Sequence, residues 1–288
     1  MMFKRFILPL LAAFSFAAPA AAKPPVWVVR DADSTIVIFG SVHMLPPGLD
    51  WRPPELTAAL KAADDVWFEL PLDGASSLDA ANVSVQHGLL PAGQTLSQKL
   101  SWRGRKRLKT IAERLHLDMR VLDRMRPWFA DVTLSVAQIA SEGANRSDGV
   151  ERAIAAEAPK SAEQRAFETP TEQILFFAEA PEREQVIALE ATLRDLLAGK
   201  ADYSGLVSIW MSGDLGPLQR EALDPMRRKT PVLYRRMVTD RNARWADTIM
   251  ERLAGSGETV VVVGAAHLVG KDGLPAMLRK RGATVEGP

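Results

Sequence analysis

The chain has 288 residues, no cysteine, 47% hydrophobic and 25% charged residues, and a formal net charge of +1. Such a composition is typical of a globular protein with one large core or at most two, and it excludes a disulfide framework, a lipidated cysteine and a thiol nucleophile. The near-neutral net charge gives no electrostatic case for binding nucleic acid or an anionic membrane.

Residues 1–22 have the pattern of a secretory signal peptide. Lys4 and Arg5 precede an apolar run, Phe6–Phe16, and alanines form a small-residue cleavage site. The alternative, an uncleaved membrane anchor, needs about 20 apolar residues, and this run is shorter. We therefore expect cleavage after Ala22, no stable membrane span, and a periplasmic or secreted mature chain with a net charge of −1.

The first part of the mature chain predicts three strands and one helix. The predicted strands are Val26–Arg30, Ser34–Ser41 and Asp65–Glu69, and the helix extends from Pro53 to Ala63. Prolines at positions 46 and 47 predict an irregular loop between the second strand and the helix.

The middle of the chain, from about residue 74 to residue 253, predicts mainly helices. One of them has apolar residues at helical spacing and a basic face, Arg103–Lys109, which we interpret as solvated surface rather than a nucleic-acid site. A short strand is predicted at Gln164–Glu168, followed by a capping box, Thr169–Glu172. A single long helix is predicted over Val232–Leu253.

The end of the chain returns to strands. Thr259–Val263 and Ala283–Glu286 predict strands, with a helix at Leu274–Arg281 between them. No linker divides residues 23–288. We expect a single α/β domain whose central sheet is built from both chain ends, with a helical middle insertion.

Two segments near the ends of the chain share one pattern. Thr35–His43 and Thr259–His267 each contain Thr, four apolar residues, Gly, two small or apolar residues, and His. Four apolar residues in a row are typical of a strand buried on both faces. Each His then follows the carboxyl end of its strand, where open α/β sheets bind ligands. The repeated pattern predicts two imidazoles directed at one point.

This arrangement favours a metal site over two unrelated histidines that each end a strand. Neutral imidazole is the commonest metal ligand, and His43 and His267 with one carboxylate would leave a coordination position open, as catalysis requires. Glu69 and Glu168 each end a predicted strand and are both candidates for the third ligand. We favour Glu69, which leaves Glu168 as the general base on a bound water.

Arg241 lies in the middle of the predicted apolar stripe of the helix 232–253. A buried guanidinium requires a partner, because an unpaired buried charge is costly. Arg241 is therefore either one half of a structural ion pair or a functional group that holds an active-site carboxylate or stabilises an oxyanion. Asn242 follows it on the helix edge and is a candidate for the same network.

Several of these segments resemble the TraB/GumN family. The matching motifs are Gly40–His43, Phe68-Glu69, Phe167-Glu168 with Glu172-Gln173, Asp240–Asn242 before Trp245, and Gly264–Leu268. The family includes TraB pheromone-shutdown proteins, GumN proteins of exopolysaccharide gene clusters and the Tiki metalloproteases of animals. The resemblance extends over about residues 26–285.

The resemblance implies an EreA/ChaN-like α/β fold, akin to the erythromycin esterases, and a metal-dependent hydrolase. Carried over, the family's site residues fall on His43, His267, Glu69 and Arg241. The sequence thus predicts a periplasmic hydrolase, within which a peptidase is one option, with a divalent ion (Mn, Co or Zn) and a small peptide or envelope-derived substrate. The alternatives are a non-catalytic protein that binds metal, haem or peptide in the same pocket, and a structural accessory of the envelope with a degenerate site.

Overall fold

The computed structural model of the chain describes residues 23–199 and 203–288. The predicted signal peptide lies outside the described residues. Within those residues, six strands form one mixed sheet: β1 (Val26–Arg30), β2 (Ser34–Ser41), β3 (Asp65–Phe68), β4 (Glu163–Ala166), β5 (Gly257–Gly264) and β6 (Thr284–Glu286).

The sheet confirms the predicted α/β class. Its strand order is β4-β3-β5-β2-β1-β6, with β2, β3, β4 and β5 mutually parallel and β1 antiparallel to β2 and β6. The two ends of the chain meet in the pairs β2–β5 and β1–β6, as expected. The middle of the chain also contributes a strand, since β4 pairs with β3 at one edge.

Helices surround the sheet and build the insertion. They are α1 (Pro54–Ala62), α2 (Gly74–Gly88), α3 (Leu96–Lys99), α4 (Trp102–Arg114), α5 (Met119–Leu122), α6 (Pro127–Ser141), α7 (Val150–Glu157), α8 (Pro170–Ala178), α9 (Glu182–Leu197), α10 (Tyr203–Ser212), α11 (Gly216–Leu218), α12 (Asp224–Lys229), α13 (Pro231–Tyr234), α14 (Asp240–Leu253) and α15 (Leu274–Lys280). Short 3₁₀ turns cover Arg146–Asp148 and Ala265–Leu268.

The helix predicted over residues 232–253 is not uniform. A π-helical turn, Arg235–Thr239, joins α13 to α14 and directly precedes Arg241. π-Helical turns are rare in proteins, and those that occur are often found at functional sites. The predicted buried stripe is nevertheless confirmed, because all of its members are at most 7% exposed: Tyr234, Val238, Arg241, Trp245 and Ile249.

Two large apolar clusters stabilise the described part of the molecule, beside a third, minor one formed by Leu223, Tyr234 and Val238. The larger surrounds the sheet, where Val260–Val263 on β5 and Ile36, Ile38 and Phe39 on β2 are fully buried. The smaller lies among α4, α6 and α9, around Leu108, Ile111 and Leu193. None of the helices in the described part of the chain is long and apolar enough to cross a membrane.

Candidate active site

The carboxyl ends of three parallel strands bring the predicted site residues to one edge of the sheet. Ser41 at the end of β2 pairs with Gly264 at the end of β5, and Phe68 at the end of β3 pairs with Val262. His43 follows β2 by two residues, His267 follows β5 by three, and Glu69 comes directly after β3.

Glycines near the ends of β2 and β5 allow the segments that carry the site residues to approach each other closely. A Cβ atom at Gly40 would lie 3.1 Å from the Cα atom of Ala265, and one at Gly264 would lie 3.2 Å from Glu69 Oε1. Gly40 therefore lets β2 pack closely against the 3₁₀ turn that carries His267. The Gly-x-x-His spacing thus has a packing reason as well as a chemical one.

Arg241 is the centre of the site. Its guanidinium, 2% exposed, donates from Nε and Nη2 to the two carboxylate oxygens of Glu168, both at 2.8 Å. Nη2 also donates to Glu69 Oε2 at 2.5 Å, and Nη1 lies 3.0 Å from His267 Nε2. The ring of Trp245 lies 4.6 Å from the guanidinium carbon. One cation therefore connects three of the predicted site residues.

Glu69 is held in its ionised form. Burial favours the neutral acid, but Arg241 and neighbouring groups outweigh it and lower the pKa of Glu69 to about 2. Its Oε1 accepts a hydrogen bond from the Gly264 amide at 2.6 Å, and its Oε2 accepts one from Gln173 at 3.2 Å. Gln173 lies on α8, whose capping box, Thr169–Glu172, forms as predicted.

Glu168 differs from Glu69 in the direction of its pKa shift. Burial raises its pKa above the usual value, with Arg241 opposing that shift. Oε1 accepts from both Arg241 and the indole of Trp245, whereas Oε2 accepts from Arg241 alone among the described residues. Glu168 therefore positions Arg241 and retains one oxygen with lone-pair capacity.

His267 is buried and neutral. Burial lowers its pKa to about 3. Its Nδ1 lies 2.7 Å from Asn242 Oδ1, and the Asn242 amide nitrogen donates to the carbonyls of His267 and Asp272. This orientation of Asn242 makes Nδ1 the protonated nitrogen, so Nε2 has a free lone pair that accepts from Arg241 Nη1.

His43 has a different partner, which sequence analysis missed. Its Nδ1 lies 2.5 Å from Glu151 Oε1, and the same oxygen accepts from Ser41 Oγ at 2.6 Å. The Glu151 carboxylate raises the pKa of His43 to about 9, against the opposing effect of burial, although 66% of the His43 side chain is exposed. Glu151 lies in the first turn of α7, where an acidic residue usually indicates helix-dipole stabilisation and nothing more.

A cavity of about 540 Å³ is lined by sequence neighbours of the site residues but by none of the site residues themselves. It lies between the β3–β4 edge and α7, and it is lined in part by Phe68, which precedes Glu69, and Arg152, which follows Glu151. Apolar side chains such as Leu72 and Ala155 form much of the remaining wall. Its volume is in the range of small-molecule and peptide side-chain sites.

The donor chemistry fits a divalent cation at His43, His267 and Glu69. Both histidines have Nδ1 against an oxygen, from Glu151 or Asn242, which is the usual arrangement of metal-ligating imidazoles that bind through Nε2. Glu69 is ionised and His267 neutral, as ligands must be, whereas His43, whose pKa is raised to about 9, would have to release a proton to bind the ion.

Although these donors suit a metal ion chemically, their positions in the structure do not form a metal site. Glu69 Oε1 lies 4.0 Å from His267 Nε2, and Arg241 donates to that nitrogen. Across residues 23–199 and 203–288, no three His, Asp or Glu side chains form a group that could hold a metal ion. A cation would therefore have to displace the Arg241–His267 contact.

His87 and His116 are separate from this cluster. His87 lies on α2, and His116 is an exposed residue after α4 with a left-handed backbone, φ 56°. Neither has a hydrogen bond or ion pair with a site residue in the described part of the chain.

The fold and the buried His–Glu–Arg cluster define an α/β protein with a polar site at the carboxyl ends of its parallel strands. The TraB/PrgY/gumN family model matches residues 25–287, and the chain belongs to that family.

Two relatives are similar over most of their length. The uncharacterized protein YbaP of Escherichia coli (strain K12) is 24% identical over 244 residues, which cover 84% of this chain and 87% of YbaP. An uncharacterized protein of Treponema pallidum (strain Nichols) is 24% identical over 268 residues, covering 88% of this chain and 80% of that protein. No solved structure matches the chain.

Proposed function

We propose that this protein is an exported, divalent-metal-dependent hydrolase that cleaves peptides or envelope-derived fragments. The observation that carries the proposal is the buried cluster of Glu69, Glu168, Arg241 and His267, with His43 on the adjacent strand end. Shifted pKa values cluster at functional sites, and Glu69, Glu168 and His267 all have them.

In this proposal the metal ligands are His43, His267 and Glu69. The ion would supply a bound water of lowered pKa. Once the ion has displaced Arg241 from His267, the freed Nη1 of Arg241 would donate a hydrogen bond to the oxygen on which negative charge develops. Glu168, whose pKa is raised by burial, would accept a proton from the water. Glu151 holds the ring of His43 in place. The cavity beside Phe68 and Arg152 receives part of the substrate.

A second candidate function is non-catalytic binding of a metal, haem or peptide in the same cavity. The favouring observation is that Arg241 already pairs with Glu69, Glu168 and His267, so the buried network is satisfied as it is. A binding protein would keep this network intact and show no turnover.

A peptide library with added manganese, cobalt or zinc separates the two candidates. We expect metal-dependent cleavage that is lost in His43→Asn and retained in His116→Asn. Asparagine is the matched substitution because it tolerates the left-handed backbone of His116. Equal cleavage by both variants would assign the activity to a contaminant, and no cleavage with retained metal binding would favour the binding protein.

A further inference from the structure

Helix α4 concentrates positive charge on a protein that is nearly neutral overall. Its sequence contains six basic residues and one acidic residue, whereas the whole chain has a formal net charge of +1. Net charge therefore conceals a local basic surface. We call this surface the α4 face and define it by Trp102, Arg103, Arg105, Lys106 and Lys109, all exposed.

Trp102 distinguishes the α4 face from an ordinary solvated surface. Its side chain is 63% exposed, whereas the other six tryptophans of the chain are at most 6% exposed. The Arg103 guanidinium lies 5.3 Å from the Trp102 ring centroid. Exposing an indole to water is unfavourable, so its position beside cations indicates a partner with both apolar and anionic parts.

Most cations of α4 have no carboxylate partner. Lys109 lies 3.9 Å from Glu113, and Arg105 donates only to the carbonyls of Ser97 and Leu100. Arg103 and Lys106 form no ion pair within the described residues. Their charge is available to an external anion.

The opposite face of α4 is fixed in the protein. Leu108, Ile111 and Ala112 are fully buried in the smaller apolar cluster. The helix therefore cannot turn an apolar face toward a membrane without unfolding that cluster. The α4 face can therefore contact a membrane only at its surface, through its positive charges and the single indole of Trp102.

We propose that the α4 face docks the protein on the surface of an anionic phospholipid bilayer. Indole rings partition to the interface between headgroups and hydrocarbon, and lysine and arginine beside them are attracted to anionic headgroups. A site for single-stranded nucleic acid stacks successive bases on several aromatic side chains, and the α4 face has one. The proposal is independent of the hydrolase function.

Vesicle co-sedimentation of the purified protein tests the proposal. We expect it to bind vesicles that contain phosphatidylglycerol, to bind phosphatidylcholine vesicles poorly, and to dissociate as salt is raised. Arg103→Glu combined with Lys106→Glu should weaken the binding at least about tenfold, since each cation near such a surface contributes roughly fivefold. Trp102→Phe should remove the emission component that shifts to shorter wavelength with vesicles.

Arg228→Glu combined with Lys229→Glu is the matched control, because both residues are exposed and neither forms an ion pair in the described structure. This variant should bind as the wild type does. Equal losses in the two double variants would reduce the effect to overall charge and overturn the proposal. So would binding to soluble dextran sulfate but not to vesicles, or self-association that Trp102→Ala abolishes.

Discussion

At the scale of single residues, the site depends on Arg241. Its five N–H groups are directed at two carboxylates, one imidazole and one backbone carbonyl, and it is nearly inaccessible to water. Removing a partner from such a group leaves buried charges uncompensated, at a cost of about 3–5 kcal/mol. Arg241 is therefore a stability determinant, and it can act as the proposed oxyanion donor only through the N–H group that a bound ion would free from His267.

Substitution of Arg241 should separate these two roles. We expect Arg241→Ala to lower the free energy of unfolding by about 3–5 kcal/mol, because Glu69 and Glu168 lose their counter-ion. Arg241→Lys keeps the charge but loses the planar fork, and should retain more stability while turnover still falls. Urea unfolding checks the first expectation and kcat the second. A fully stable Arg241→Ala protein would contradict the network described here.

Glu151 provides a test that does not disturb the buried network. Glu151→Gln keeps the size of the side chain but removes the charge that pairs with His43. We expect turnover to fall about 10–100-fold, with the folding stability changed by less than about 1 kcal/mol, because the ion pair is partly solvated. Comparison of kcat/KM with the unfolding curve checks this. Unchanged kcat/KM would show that Glu151 does not position His43.

The pKa of His267 predicts how stability depends on pH. It is lowered from 6.5 to about 3 in the folded protein, so between these values the unfolded chain binds the additional proton. Stability should therefore fall as pH is lowered from about 6.5 to 3, by at most about 1.4 kcal/mol per pH unit from this group. Urea unfolding in the presence of a chelator measures the slope. His267→Gln should flatten it, and an identical slope would contradict a buried neutral His267.

At the scale of elements, the start of α7 fixes the loop that carries His43. The Val150 amide donates to the Val42 carbonyl, and a Cβ atom at Gly149 would lie 2.2 Å from the His43 carbonyl oxygen. The glycine is thus required by the close approach of two backbones rather than by an unusual φ angle, which is −61°.

Alanine substitution at two glycines tests this contact. Gly149→Ala should force the two segments apart, lower the free energy of unfolding by about 1–3 kcal/mol and reduce turnover. Gly74→Ala is the matched control, since Gly74 also lies at a helix start and its Cβ would meet nothing within 4 Å. That variant should be neutral or stabilised by up to about 1 kcal/mol. Equal effects on thermal unfolding would contradict the proposed role of Gly149.

Sequence patterns located the strands but not every site residue, because only some of the elements leave a local signal in the sequence. β1 and β2 were predicted at their observed bounds, because their apolar runs end in turn residues. The π turn at Arg235–Thr239 has no Gly or Pro signal, so it was predicted as regular helix. Glu151 was missed because its contact with His43 crosses 108 residues and leaves no local pattern.

At the scale of the whole molecule, parallel pairing of the chain ends creates the site. β2 and β5 pair over eight residues, and this register places both Gly-x-x-His segments at one edge of the sheet. The repeat therefore predicted that both histidines follow neighbouring strand ends, although no hydrogen bond or ion pair joins His43 to His267 among the described residues. It did not predict that Arg241 would lie between His267 and the two glutamates, because that depends on how α14 packs across the sheet.

Stoichiometric metal binding is the most direct test of the shared site. Isothermal titration with manganese, cobalt or zinc should give one ion per wild-type chain. We expect His43→Asn, His267→Asn and the double variant each to abolish high-affinity binding, whereas His116→Asn retains it. One ion bound with unchanged affinity after loss of either His43 or His267, or no binding by the wild-type protein, would contradict a metal centre shared by the two ends of the chain.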